Sequence, residues 1–129
     1  MPWEPIAITS KEAVDVEGDQ VRVVWSLTKR PSSDWAREFR ASEVARQGSA
    51  EFLGLPSPDV RLGGSIVWTV PTADLRGAVE HVKACVDAAN EAERHLLERR
   101  EEEIRRRAEE EAAKAVRLQA AQQALNALD

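Results

Sequence analysis

The chain reads as an α+β protein: a small four-stranded antiparallel sheet in ββα-ββα order, followed by a long C-terminal helix that extends as a charged rod or coiled coil. Three observations predict this. Two segments, 21–28 and 66–70, alternate apolar and polar residues with the period of a half-buried strand. Every proline, every Trp and Phe, and every glycine except Gly77 lies at or before Pro71. Beyond it Ala, Glu, Arg and Leu dominate, the composition of a continuous helix. The expected division is a globular domain over 1–90 and a charged helical extension over 91–129.

The first strand is placed at about 5–16, on the β-type residues Ile6, Ile8, Val14 and Val16. Glu17-Gly18-Asp19 supplies a turn, because glycine takes positive φ without a steric penalty. The second strand, about 20–28, sets Val21, Val23, Trp25 and Leu27 against Arg22, Val24, Ser26 and Thr28, and pairs with the first as a hairpin. Pro31-Ser32-Ser33-Asp34 stops it and starts a helix at about 33–47. A serine hydroxyl caps the free backbone N–H groups there, and an acidic residue suits the positive helix start. Trp35, Phe39 and Val44 are expected on its buried side and Gly48 at its end. A loop follows to about 59, with a short extended piece at Phe52–Leu55. Strands at about 59–62 and 65–70 flank Gly63-Gly64, read as a two-residue hairpin turn. Pro71-Thr72-Ala73-Asp74 then ends the sheet and caps the long helix, whose first part, about 72–90, covers the sheet. The order strand, Trp-bearing strand, proline, hydroxyl, Asp, helix occurs twice. It suggests duplication, although strand-to-helix junctions favour these residues in any case.

In the long helix Leu75, Val79, Val82, Val86 and Ala89 form one apolar stripe. Beyond it Leu97, Ile104, Leu118 and Leu125 keep a seven-residue period, with Glu111 in one of its places. Ala108 and Ala115 supply a second seam position, and its companions Glu101 and Gln122 are polar. The stretch ERREEEIRRRAEEE carries Glu and Arg at i,i+4 spacing from Glu101–Arg105 to Arg107–Glu111, which supports a helix in water. At about 1.5 Å per residue a helix over 72–128 runs roughly 85 Å and must project unless it folds back. Leu97, Ile104, Ala108, Leu118 and Leu125 are therefore the candidate interface, for a homodimer or a protein partner through the C-terminal helix. A lone charged helix and a bent pair of helices are the plainer accounts.

Composition limits the chemistry. The net charge of −5 divides evenly: residues 1–70 hold 8 basic and 10 acidic side chains, and 71–129 hold 10 and 13. Neither part is a basic nucleic-acid module by bulk charge. Lys29, Arg30, Arg37, Arg40 and Arg46 nevertheless lie near Trp25, Trp35 and Trp68. Single-stranded nucleic-acid binding, with bases stacked on sheet aromatics beside a basic face, is thus the alternative function. Against it, Trp25 and Trp68 share the register of the apolar face. His81 and Cys85 lie i,i+4, as do Glu91 and His95, but a closed zinc site needs four ligands and no second cysteine exists. Cys85 between Val82 and Val86 reads as core rather than as a nucleophile. Asp15, Glu17 and Asp19 lack the rest of a calcium loop. No phosphate loop, HExxH or GxSxG is present. The expectation is a non-catalytic interaction protein without cofactor or metal. No apolar run approaches a bilayer span and no secretory leader is legible, so no membrane partner is expected and a cytoplasmic location is the default. Trp3, in PWEP, could anchor a partner or fold over the domain edge.

Overall fold

The computed structural model describes residues 3–46 and 57–128. The fold is α+β. Its elements are β1 (Ile8–Glu17), β2 (Gln20–Leu27), α1 (Ser33–Arg46), β3 (Asp59–Arg61), β4 (Ser65–Pro71), a single 3₁₀ turn (Thr72–Asp74) and α2 (Leu75–Asn126). The strands form one antiparallel sheet in the order β1-β2-β4-β3, so β2 and β4 join the two hairpins at its centre. The chain divides into two compact units, Met1–Arg94 and His95–Asp129.

In the first unit the period-2 pattern holds as read. Val21, Val23, Trp25 and Leu27 of β2 and Ile66, Trp68 and Val70 of β4 are buried on one face, with Val23 paired to Trp68 and Trp25 to Ile66. Trp35, Ala36 and Phe39 of α1 and Ala78, Val82, Cys85, Val86 and Ala89 of α2 complete the core, with the rings of Trp35 and Phe39 stacked at 5.6 Å. Arg22, Val24, Ser26, Val67 and Thr69, on the other face, are none of them buried.

Several local expectations give way to tertiary partners. Val44 is exposed and Glu43 is buried instead, at 3 %. At 100° per residue Glu43 continues the arc of Trp35 and Phe39, whereas Val44 falls opposite Trp35. Residue 6 precedes β1 rather than belonging to it: Ile6 is buried, and after a half-buried Ile8 every side chain of β1 is exposed. This edge strand carries register shifts at Ile8/Ser10 and Ala13/Asp15, irregularities that blunt an open sheet edge. The β3–β4 loop has three residues, not two, since Arg61 pairs with Ser65 and the Gly64 N–H donates to the Arg61 carbonyl. Gly64 takes φ +112, the positive value that such a loop places at its last residue. The β1–β2 turn is the two-residue form, with Gly18 at φ +61.

Ser32 caps α1, its Oγ accepting from the Trp35 N–H at 3.1 Å. Thr72 does not cap α2. Its N–H and hydroxyl both donate to the Asp19 carbonyl, at 2.7 and 3.0 Å, which ties the end of β4 to the first hairpin. The expected helix end at Gly48, the piece at Phe52–Leu55 and the side chain of Arg46 lie outside the described residues. No helix among the described residues is long and apolar enough to cross a membrane.

Candidate functional site

Among the described residues the second unit contains a single element, the part of α2 from His95 onward. With no proline it stays helical to Asn126, and among those residues the unit has no other element on which to pack. Its apolar residues show the consequence. Ile104, Leu118 and Leu125 are 68 %, 71 % and 61 % exposed, Ala108 is exposed, and Leu97 is half-buried. Positions seven and fourteen apart recur on one side of a helix, so these residues form one stripe. Val116 and Leu128 are equally exposed off that line.

Charged side chains hold the same segment together. The i,i+4 pairs Glu103–Arg107 (3.0 Å) and Arg106–Glu110 (2.5 Å) form as the spacing predicts. Arg106 also turns back one turn to Glu103 (2.7 Å), and Arg105 to Glu102. The hydrogen bond from Arg106 is the main reason the Glu103 carboxyl titrates below its ordinary value, and the Arg106 and Arg107 charges add to it. Arg106 is raised in turn, first by that hydrogen bond and then by the charges of Glu103 and Glu110. Exposed pairs of this kind favour the helix modestly and do not create an interface.

Lys29, Arg30, Arg37 and Arg40 are exposed. Lys29 Nζ donates to the Glu4 carbonyl at 2.5 Å, and Arg37 pairs with Asp34 at 2.8 Å. Trp25, Trp35 and Trp68 are 0–2 % exposed and belong to the core, so they offer no stacking platform beside those cations.

His81 and Cys85 do share a face of α2, in the core of the first unit. Glu43 Oε1 lies 3.9 Å from His81 Nε2, and Cys85 Sγ lies 3.8 Å from the same nitrogen. The imidazole also meets the Trp68 ring at 5.4 Å. All three residues are under 5 % exposed. Among the described residues no group of three or more His, Cys, Asp or Glu is placed to hold a metal ion. Glu91 and His95 turn to other partners, Arg94 (2.6 Å) and Glu98 (3.7 Å).

A polar clasp that the sequence does not announce fastens α2 to the chain's first residues. Asn90 Oδ1 accepts from the Ile6 N–H and the Trp35 indole N–H, both at 2.9 Å, and Asn90 Nδ2 donates to the Ile6 carbonyl at 2.8 Å. One turn on, Glu93 accepts from the Trp3 indole (2.8 Å) and from the capping hydroxyl of Ser32 (2.5 Å). Trp3 is thus held over the domain edge. The i,i+3 spacing of Asn90 and Glu93 on the buried side of a helix is the only trace of this clasp in the sequence. Beside it opens a cleft of about 440 Å³, walled by Ile6, Ile8, Trp25, Val79 and Val86, with Lys11, Lys83 and Asp87 exposed around it.

Comparison with known family models, curated proteins and solved structures returned no match. The functional reading therefore rests on the molecule's own geometry.

Proposed function

We propose that this chain is a non-catalytic interaction protein whose C-terminal helix self-associates through the stripe Leu97, Ile104, Ala108, Leu118 and Leu125. One observation carries the reading. A helix with no packing partner in its own unit presents large apolar side chains at heptad spacing, more than 60 % exposed at Ile104, Leu118 and Leu125. Water penalises that arrangement by about 25 cal/mol per Å² of apolar surface, and a second helix removes the penalty. The Glu/Arg pairs keep the segment helical and soluble before it meets its partner.

The test is the double substitution Leu118→Glu and Leu125→Glu, with absolute mass measured by light scattering on a sizing column. The expected result is a native chain heavier than a monomer and a monomeric variant whose tryptophan fluorescence is unchanged, since every Trp lies in the first unit. A variant that keeps the native mass would contradict the proposal.

A further inference from the structure

Resting on that reading, we infer that the occupant of the stripe is a second copy of this chain running antiparallel. Lettering the seven-residue repeat a to g, Ile104, Glu111, Leu118 and Leu125 stand at d, and Ala108 and Ala115 stand at a. The two seam positions thus differ in size: large side chains at d, alanines at the centre of a.

Parallel helices in register pack like on like. Ala108 would meet Ala108 and Ala115 would meet Ala115, leaving gaps between the larger layers. Glu111 would face Glu111 inside the seam. At the flanks, Arg100 at g would meet Arg105 at the following e position of the other copy. The charge-saturated stretch 98–111 would lie wholly against itself.

Antiparallel helices pack a against d. With Ala115 set opposite Glu111, Ala108 falls opposite Leu118, Gln122 opposite Ile104 and Glu101 opposite Leu125, so the central alanines face larger side chains instead of each other. The two Glu111 carboxylates and the two Lys114 ammonium groups then meet about the twofold axis, two of each sign. The arginines of 99–107 lie along the end of the second helix, where residues 118–128 hold no charged side chain. The alanine layers and the relief of the Arg100–Arg105 and Glu111–Glu111 oppositions favour the same orientation.

The experiment is disulfide trapping in the full chain. Ala108→Cys and Leu118→Cys are made separately, one carrying a mass tag, mixed under reducing conditions, and equilibrated in a glutathione redox buffer. The native chain is the uncrosslinked control, because its one cysteine, Cys85, is buried. The expected result is a disulfide between unlike chains as the dominant species, with little product from either variant alone. A dominant Ala108→Cys homodimer would overturn the antiparallel assignment while leaving self-association intact. A dimeric mass without either crosslink would overturn it as well, by placing the contact elsewhere. A monomeric mass would remove the underlying proposal of self-association, and the orientation with it.

Discussion

Replacing Asn90 with Ala removes one side chain and three hydrogen bonds. The Ile6 N–H, the Ile6 carbonyl and the Trp35 indole N–H each lose their partner, and both residues are buried, at 3 % and 0 % exposure. A typical intramolecular hydrogen bond contributes about 1 kcal/mol net, and a buried group left unpaired costs about as much or more. Three such groups give a loss of about 3 kcal/mol. At a urea slope of about 1.5 kcal/mol/M, the unfolding midpoint should fall by about 2 M. Tryptophan fluorescence is the assay, at fixed chain concentration because association shifts apparent stability. All four Trp lie in the first unit, so the signal reports that unit alone. Asn90→Asp keeps an acceptor and loses the donor, and should fall between native and Ala. A loss below about 1 kcal/mol in Asn90→Ala would refute the argument that this clasp fastens α2 to the chain's start.

Trp25→Phe and Trp35→Phe remove the same volume, but the Trp25 indole N–H is buried without a partner whereas that of Trp35 donates to Asn90. The Trp35 change should therefore cost about 1–2 kcal/mol more in urea unfolding, and equal costs would contradict this reading. Glu103 titrates below its ordinary value, so its contribution is present above that value, near 4.5, and is lost as pH falls through the lowered folded value. Helicity by circular dichroism should decline on acidification through that window, and Arg106→Ala, which removes the main cause of the shift, should weaken the decline.

The sheet was legible because β2 and β4 each bury one complete alternate set of residues, and a one-residue slip would expose all of it. The apolar stripe of α2 was legible for the same kind of reason at the helical period. What stayed hidden depends on partners distant in sequence. Glu43 is buried in α1 because it faces His81 across the core. Asn90 and Glu93 matter because residues 3 and 6 return to them, a contact no local pattern encodes. Thr72 looks like a helix cap, yet its hydroxyl finds the Asp19 carbonyl first. β1 has the residues of an ordinary strand, but at the sheet edge it buries almost none of them. In the sequence, spacing alone marks the stripe from Leu97 to Leu125. The structure adds the exposure of Ile104, Ala108, Leu118 and Leu125, with Leu97 half-buried.

Light scattering on the native chain, over a range of concentrations, tests the central claim most directly. Self-association through the helix predicts a mass approaching twice that of the chain as concentration rises, and a single-chain mass in the Leu118→Glu, Leu125→Glu variant. A single-chain mass for the native protein at every concentration would contradict the account.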